Sequence, residues 1–367
     1  MKHSLMTVSD PNLPAPARAF LETAGWGDAA AHALAGDASR RRYVRLQRAD
    51  ARALLMIAPP GDETVDCPPG ADEKERRALG YNAAARLAGP NLHAFVCVAD
   101  ALRGAGLSAP EVYAADAARG LALLEDLGDG LFAHICAPDN ERGLYDAAID
   151  VLLTLRQRAP VRPVTPHYEM MDYDALALMS EAELLIDWYW PLKHGEATPA
   201  DVKDEFANVM GGLLGRLSPP HSFVLRDYHA ENLLWLGDRE GVARVGLIDF
   251  QDALYGSAAY DLVSLLEDAR RDVAPSLAEA MIARYCDGAA AMGKFDRDSF
   301  LTDYGVLAAQ RNAKILGIFA RLAKRDGKPK YLDFLPRVEA HFKADLAHPA
   351  LGALNAFCKR HFPALAS

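Results

Sequence analysis

Two short polar motifs near the middle of the chain are separated by a segment that is predicted to form a β-hairpin. The first motif runs from Asp227 to Asn232, and the second begins with Asp249. Between them, the apolar runs 233–236 and 245–248 flank a stretch of glycine and charged residues, which is typical of two strands joined by a turn. An antiparallel hairpin would place Asn232 and Asp249 side by side. This requirement constrains how the rest of the chain can fold.

The three polar residues are suited to phosphoryl transfer. The amide oxygen of Asn232 and the carboxylate of Asp249 are ligands that a hard cation such as Mg²⁺ prefers. Asp227, one loop earlier, can accept the proton of an attacking hydroxyl group. The alternative interpretation is that the three residues belong to an ordinary polar turn with two cap residues.

The composition narrows the class of protein. The chain has 367 residues, of which 51% are hydrophobic, enough for one bilobal unit or two domains. Its net charge of −10 argues against a nucleic-acid partner. The five cysteines are scattered, without a Cys-x-x-Cys pair, which favours a reducing cytoplasm over disulfides or zinc. We expect no signal peptide, because the first eleven residues contain no apolar core of signal-peptide length. We expect no membrane span, because no apolar window approaches about 20 residues.

The pattern of apolar residues predicts a β-rich first third and a helical remainder. In the first third we predict helices over 15–35, 72–88 and 92–106, and strands over 42–47, 52–57, 111–115 and 121–125. In the remainder we predict helices over 141–158, 172–190, 199–217, 257–271, 275–292, 298–325 and 333–347. The expected fold class is therefore α+β, with a small β-rich lobe and a larger, mainly helical lobe.

The two central motifs also carry a family resemblance. Asp-x-x-x-x-Asn followed by Ile-Asp-Phe resembles the catalytic core of the kinase-like fold. The form found here, Leu-Arg-Asp-Tyr-His-Ala-Glu-Asn with Ile-Asp-Phe-Gln-Asp, is most similar to the aminoglycoside phosphotransferase family. Segments that begin at Ala35, Met56, Leu123 and Tyr260 resemble the bacterial anomeric sugar kinases within it. The resemblance extends over residues 18 to 330.

The resemblance implies a bilobal protein-kinase-like fold, with a nucleotide-binding lobe at 1–127 and a catalytic and acceptor-binding lobe at 128–367. Asp227 corresponds to the catalytic base, and Asn232 and Asp249 correspond to the magnesium ligands. The implied reaction is transfer of the γ-phosphate of ATP to the anomeric C1 hydroxyl of N-acetylmuramate or N-acetylglucosamine during cell-wall recycling. We expect a cytoplasmic monomer that uses ATP and Mg²⁺ on a small-molecule sugar, without a nucleic-acid or membrane partner.

The nucleotide-binding residues are expected in the first lobe. A turn that contains Ser39 can direct main-chain N–H groups at phosphate oxygens. Kinases commonly place a lysine on the third strand, but Met56 occupies that position here. We expect Arg41 or Arg42 to supply the missing cation, because guanidinium groups suit phosphate oxygens. The segment from Glu125 to Leu127 is expected to be the hinge that pairs with adenine. The alternative for these segments is a solvated basic turn and a simple linker.

Residues for the acceptor are harder to assign from the sequence. Asp187 and Trp188 combine a carboxylate with an aromatic ring, as sugar sites do, but they also fit a helix end that faces the core. His229 lies in the catalytic loop as a candidate substrate contact or second base, and packing is the alternative. Asp252 follows Asp249 by three residues and can reach the metal or the acceptor.

Two other functions remain open at this point. A cationic acceptor, such as an aminoglycoside, choline or a fructosamine, would need several acidic residues at the site. Glu181, Glu183, Asp187 and Asp252 leave that possibility open. A non-catalytic nucleotide-binding module is the second alternative, because the usual lysine is missing.

Overall fold

The small lobe is built on one antiparallel sheet of five strands in the order β1-β2-β3-β5-β4. The computed structural model describes residues 13–34, 41–49, 51–58, 67–68, 70–219 and 222–367. The strands are β1 (Ala30–Ala33), β2 (Arg42–Arg48), β3 (Ala51–Ile57), β4 (Val112–Asp116) and β5 (Leu121–Glu125). The accompanying helices are α1 (Ala15–Thr23), α2 (Glu73–Leu79), α3 (Tyr81–Ala84) and α4 (Leu92–Gly104). The four predicted strands of this lobe are confirmed to within one residue at each end.

The two faces of this sheet belong to different cores. Along β5, Leu121 and Leu123 pack with α1 in a small outer core. Ala122 and Leu124, which point to the opposite face because side chains alternate along a strand, join the main core of the protein. Met56 on β3 is fully buried in that same main core. The inner face of the small lobe is therefore continuous with the apolar interior of the large lobe.

Helix α4 forms the packing link between the two lobes. Phe95 of α4 stacks on Phe250, with ring centroids 5.0 Å apart and an angle of 25° between the planes. Phe250 directly follows Asp249, a predicted magnesium ligand. The position of α4 is thus coupled through one aromatic pair to the second polar motif.

The predicted helix over 15–35 is wrong in its second half. Helix α1 ends at Thr23, and Gly25 then adopts a φ of 76°, a left-handed conformation that glycine tolerates and that ends a helix. The chain continues into β1, where Ala31 pairs with Leu46 of β2. Alanine-rich sequence favours a helix locally, but the free edge of β2 recruits this segment as a strand.

The large lobe is mainly helical, as predicted. Its helices are α5 (Phe132–Ile135), α6 (Glu141–Arg158), α7 (Ala175–Ala182), α8 (Trp190–His194), α9 (Ala200–Leu214), α10 (Ala259–Leu266), α11 (Pro275–Ala291), α12 (Arg297–Lys324), α13 (Leu335–Asp345) and α14 (Gly352–His361). Its short strands are β6 (Val164–Thr165), β7 (Tyr168–Glu169), β8 (Ser222–Val224), β9 (Leu233–Trp235), β10 (Val245–Leu247) and β11 (Leu254–Gly256). Within the described residues, no helix has both the length and the apolar character needed to cross a bilayer.

The predicted single helix over 172–190 is interrupted. Helix α7 ends at Ala182, a π-helical turn covers Leu185–Tyr189, and α8 begins at Trp190. Pro191 lies in the first turn of α8, where proline is tolerated because its missing N–H would have had no partner in the helix. A π-turn adds a residue to the helical repeat, so the simple helical spacing of the sequence cannot reveal it.

Helix α12 lies in the middle of the large lobe and packs against the segment that follows α7. At Gly317, a Cβ atom would lie 2.2 Å from the carbonyl carbon of Leu184 and 2.3 Å from its oxygen. Main-chain atoms cannot move aside as a flexible side chain can, so the two backbones approach this closely only because residue 317 is a glycine.

We expect Gly317→Ala to lower the free energy of unfolding by about 1–3 kcal/mol, because the added methyl group overpacks a buried contact. The matched control is Gly212→Ala in α9, where a Cβ would meet no atom within 4 Å. That change should raise stability by about 0.5–1 kcal/mol, the helix propensity difference between the two residues. Urea unfolding followed by circular dichroism measures both. Equal effects of the two substitutions would contradict the close packing of α12 on Leu184.

Candidate active site

The loop that carries Asp227 follows β8 and is anchored to α10 by hydrogen bonds. The buried carboxylate of Asp261 in α10 accepts hydrogen bonds from the main-chain N–H groups of Leu225 at 2.6 Å and Arg226 at 2.9 Å. Burial raises the pKa of Asp261 to about 7, although these two hydrogen bonds oppose the shift. Arg226 adopts a φ of 69°, an uncommon conformation for a residue other than glycine. This anchored turn presents the half-buried side chain of Asp227 to the cleft.

Asp227 lies in a field of positive charge. Burial alone would raise the pKa of its carboxyl group, but the charge of Lys314, together with those of Arg226 and Arg311, outweighs burial and lowers the pKa. The side chain is therefore a carboxylate at neutral pH. A half-buried carboxylate of this kind can orient a hydroxyl group and accept its proton.

The predicted hairpin is confirmed and brings Asn232 next to the strand that leads to Asp249. Strands β9 and β10 pair antiparallel with Leu233 opposite Leu247. Beyond this pair, Ile248 donates its N–H to the main-chain oxygen of Asn232 at 3.2 Å. The side-chain nitrogen of Asn232 donates to the main-chain oxygen of Asp227 at 2.9 Å. The amide oxygen is therefore the atom that Asn232 offers to a cation.

Asp249 is held in a strained and electrostatically unfavourable position. Its φ is 58°, in the left-handed region that costs a residue with a Cβ roughly 1–2 kcal/mol and that is retained mainly at functional sites. Burial raises the pKa of its carboxyl group, and the negative charge of Asp227 raises it further. Gln251 donates to its Oδ1 at 2.9 Å. A cation bound at this carboxylate would relieve the repulsion between the two acids.

Of the two candidate arginines, the structure directs only Arg41 to the polar site. One guanidinium nitrogen of Arg41 lies 3.6 Å from Oδ1 of Asp249, and the other donates to the oxygen of Gly89 at 3.0 Å. Arg42 begins β2 and is exposed. Met56 is fully buried in the main core. Ser39 lies outside the described residues.

The two hinge residues have different surroundings. The N–H of Glu125 donates to the oxygen of Glu111 at 2.8 Å, and its carboxylate forms an ion pair with Arg239. Leu127 is buried, and its side chain packs over Gly246 of β10. The main-chain groups of Leu127 make no hydrogen bond to any other part of the chain that the structure describes. Leu127, rather than the N–H of Glu125, therefore has free main-chain groups at the hinge.

Two of the candidate acceptor residues lie away from the catalytic loop. Asp187 is exposed in the π-helical turn and forms an ion pair with Lys203 at 2.7 Å. Trp188 is half-buried against the main core. Neither residue forms a hydrogen bond or an ion pair with the catalytic loop within the described part of the chain. Their contribution to sugar binding remains a prediction.

The other two candidates do lie at the catalytic loop. His229 is buried, and burial lowers the pKa of its imidazole. The charges of Arg270 and Arg311 lower this pKa further. It is therefore neutral at pH 7 and a poor proton acceptor. Asp252 accepts the N–H of Ala88 at 2.6 Å, so it anchors the chain between α3 and α4.

Sequence reasoning missed a buried charge cluster next to the base. Glu181 is fully buried and forms ion pairs with Arg226 and with Nζ of Lys314 at 2.8 Å, and Tyr173 donates its hydroxyl to the same carboxylate. Burial would raise the pKa of Glu181, but the two cations outweigh it and lower the pKa to about 2. A lysine inside the apolar stretch of α12 is the one signal that could have indicated this cluster.

Comparison with known proteins agrees with this geometry. The model of the phosphotransferase enzyme family matches residues 30–297. The N-acetylmuramate/N-acetylglucosamine kinase of Caulobacter vibrioides is 44% identical over 98% of this chain and 99% of its own length. The protein of the same name from Pseudomonas aeruginosa is 32% identical over 90% of this chain and 89% of its own. A thermostable aminoglycoside phosphotransferase in complex with ADP and hygromycin B shares the fold, with a TM-score of 0.52 at 12% identity, over 91% of this chain and 100% of that one.

A bilobal kinase-like fold with an acid, an amide and a second acid at its cleft defines a phosphotransferase. The chain belongs to the phosphotransferase enzyme family, which confirms the resemblance and the fold class inferred from the central motifs.

We expect Asp227→Asn to lower kcat by roughly 10²–10⁴, the contribution of a positioned acid–base group. Nucleotide affinity should not change, because the substitution keeps the shape of the side chain. Asp252→Asn is the matched control, since an amide oxygen can still accept the N–H of Ala88. Steady-state kinetics with saturating substrates, together with nucleotide titration, measure both. A kcat close to that of the wild type in Asp227→Asn would refute the assignment of the base.

Arg41→Ala should raise the KM for ATP by roughly 10- to 100-fold, because a charged hydrogen bond to phosphate contributes about 1.5–3 kcal/mol. Arg42→Ala removes the same charge one residue further along the chain and should leave this KM within about twofold, because its side chain is exposed. Initial rates at varied ATP concentration give both values. An unchanged KM in Arg41→Ala would mean that another group holds the phosphates.

Proposed function

We propose that the protein is a sugar kinase that transfers the γ-phosphate of ATP to the anomeric C1 hydroxyl of N-acetylmuramate and N-acetylglucosamine in cell-wall recycling. The observation that carries the proposal is the meeting of Asp227, Asn232 and Asp249 at the open end of one hairpin. The two N-acetylmuramate/N-acetylglucosamine kinases that align with 98% and 90% of this chain support the choice of acceptor.

Asn232 and Asp249 fit a magnesium ion. One amide oxygen and one carboxylate are a common protein contribution to Mg²⁺, which otherwise binds water and substrate phosphates. The raised pKa of Asp249, caused by burial and by Asp227, fits a carboxylate that functions next to a cation. When bound, Mg²⁺ would neutralise the phosphate charge that develops during transfer.

The residues of the small lobe would bind the nucleotide. Arg41 is directed at Asp249 and so at the expected phosphate position, and it replaces the missing lysine in our proposal. The free main-chain groups of Leu127 would pair with the adenine edge. The nucleotide complex of the aminoglycoside phosphotransferase that shares this fold contains ADP, which agrees with ATP as the donor.

The acidic residues that could have served a cationic acceptor are already engaged. Glu181 pairs with Arg226 and Lys314, Glu183 with Arg77, Asp187 with Lys203, and Asp252 accepts the N–H of Ala88. The cations Lys314, Arg226 and Arg311 act on Asp227 and lower its pKa against the effect of burial. An aminoglycoside or choline would be repelled by these charges, whereas a neutral or anionic sugar would not.

A non-catalytic role is disfavoured by the state of the catalytic loop. Asp227 is ionised, Asn232 lies beside it, and Arg41, next to Asp249, can substitute for the lysine.

We also propose that the enzyme works as a monomer in a reducing cytoplasm. All five cysteines are free thiols, as expected where disulfides do not persist. Size-exclusion chromatography with light scattering tests the oligomeric state, and a dimer at micromolar concentration would refute it.

The acceptor hydroxyl can be tested by blocking it. Free N-acetylglucosamine should yield a sugar 1-phosphate, because the anomeric hydroxyl is the most acidic of the sugar and suits a carboxylate base. Its methyl glycoside lacks that hydroxyl and should not turn over. The 6-deoxy sugar keeps C1 and should remain a substrate. Phosphorus NMR of the products identifies the position.

Phosphate at C6, or faster turnover of an aminoglycoside or choline, would refute the sugar 1-kinase assignment. Such a result would leave the phosphotransferase fold and its catalytic residues unaffected.

A further inference from the structure

Arg311 is a buried cation whose charge is not neutralised by an ion pair. It lies on α12 and is 4% exposed. One guanidinium nitrogen donates to the main-chain oxygen of Glu267 at 3.4 Å, and no carboxylate of the described residues forms an ion pair with it. Burying an unpaired charge costs several kcal/mol, so such a residue is expected where a ligand supplies the missing partner.

The acidic side chains around Arg311 are committed to other donors. Glu267, Asp268 and Asp272 lie on the loop after α10 that faces this part of α12. Glu267 accepts from Tyr304 at 2.9 Å and Asn312 at 2.7 Å, Asp268 accepts the main-chain N–H of Arg270 at 2.8 Å, and Asp272 pairs with Arg337 at 2.5 Å. None of these three carboxylates forms an ion pair with Arg311.

Two buried imidazole nitrogens near Arg311 have no hydrogen-bond partner among the described residues. Nδ1 of His229 and Nε2 of His341 are buried and make no hydrogen bond within the described part of the chain. Burial lowers the pKa of His341, and the charges of Arg311 and Arg337 lower it further.

The surroundings of His229 fix where its proton lies. Nε2 is 3.4 Å from the side-chain nitrogen of Asn232 and 3.4 Å from a guanidinium nitrogen of Arg270. Both neighbours are N–H donors, so Nε2 is the acceptor and the ring carries a proton on Nδ1. The buried Nδ1 is thus an N–H donor without an acceptor.

These groups adjoin the catalytic base. His229 is two residues beyond Asp227 in the same loop. The charge of Arg311 contributes to the lowered pKa of Asp227, although burial is the largest effect there and Lys314 the largest cation. Arg311 and Asp227 nevertheless form no ion pair with each other. A base and a cation so arranged suit an acceptor with a hydroxyl group at one end and an anionic group at the other.

We propose that Arg311, with His229 and His341, forms a subsite for a carboxylate carried by the acceptor. The inference rests on the proposed function and assigns specificity within it. N-acetylmuramate has a lactyl carboxylate on its sugar ring, and N-acetylglucosamine does not. Arg311 supplies the charge, and the imidazole N–H groups supply further donors for the carboxylate oxygens. N-acetylglucosamine occupies the same ring position and leaves the subsite to water.

A simpler role for Arg311 is to hold Asp227 in its ionised form. The two roles differ in what they predict for the two sugars. A residue that only adjusts the base affects every acceptor equally, since all acceptors use Asp227. A residue that binds the carboxylate affects only the acceptor that has one. The ratio of kcat/KM for the two sugars therefore separates the roles.

The test compares wild type and Arg311→Gln with N-acetylmuramate, with its lactyl carboxamide, and with N-acetylglucosamine. In the wild type, the acid should have a kcat/KM roughly 10- to 100-fold above that of the carboxamide, the range for one charged hydrogen bond. In Arg311→Gln this preference should fall to within about threefold. For N-acetylglucosamine, the change in kcat/KM from wild type to Arg311→Gln should equal the change for the carboxamide, because neither acceptor has the carboxylate.

Arg321→Gln is the matched control on the same helix. Arg321 stacks on Tyr81, with its guanidinium carbon 4.9 Å from the ring centroid, and it lies about 15 Å along the helix from Arg311 at 1.5 Å per residue. Its loss removes one positive charge from α12 and should leave the preference for the acid unchanged.

Equal losses on all three acceptors in Arg311→Gln would overturn the subsite and leave Arg311 as a positioning residue for the base. The same preference for the acid in wild type and variant would overturn it as well. If Arg311→Gln does not fold, His341→Gln replaces it, because His341 is half-buried and should reduce the preference severalfold. Absence of sugar phosphorylation in the wild type would instead refute the proposed function.

Discussion

The catalytic loop depends on one fully buried ion cluster. Glu181 at the end of α7 holds Arg226 of the loop and Lys314 of α12, and so connects three elements that are distant in sequence. Breaking such a cluster leaves an uncompensated charge in the interior, typically at a cost of 3–5 kcal/mol. The same two cations that neutralise Glu181 also lower the pKa of Asp227, against the effect of its burial. One cluster thus supports the loop and keeps Asp227 ionised.

The parts of the site that follow from short-range sequence were predictable. Asn232 and Asp249 are joined by a hairpin whose two apolar runs define its register, so their proximity needed no knowledge of the remaining fold. The missing lysine was likewise visible at Met56. Secondary structure predicted from the local pattern was wrong where pairing with a distant segment determines the conformation. The segment Ala30–Ala33 is alanine-rich yet forms a strand because the edge of β2 lies beside it.

The positions of the remaining site residues depend on tertiary contacts that cannot be inferred from a single sequence. Arg41 and Arg42 are the same residue type at neighbouring positions, so the sequence does not distinguish them. Because β2 begins at Arg42, the side chain of Arg41 lies next to Asp249 and that of Arg42 is exposed to solvent. Glu181 looked available to a cationic acceptor, but Arg226 and Lys314 reach it from 45 and 133 residues away, as their numbers show. Helix α12 places its cations at the base through tertiary packing alone. The substrate side of the site was therefore the least predictable part.

The stack of Phe95 on Phe250 gives the small lobe a mechanical hold on the metal-facing carboxylate. Because α4 shares its core with the inner face of the sheet, any tilt of the sheet is transmitted through these two rings to the residue that precedes Phe250. A nucleotide that draws the sheet toward the large lobe would then shift Asp249 relative to Asp227. The packing of the small lobe and the spacing of the two acids are in this way parts of one contact network.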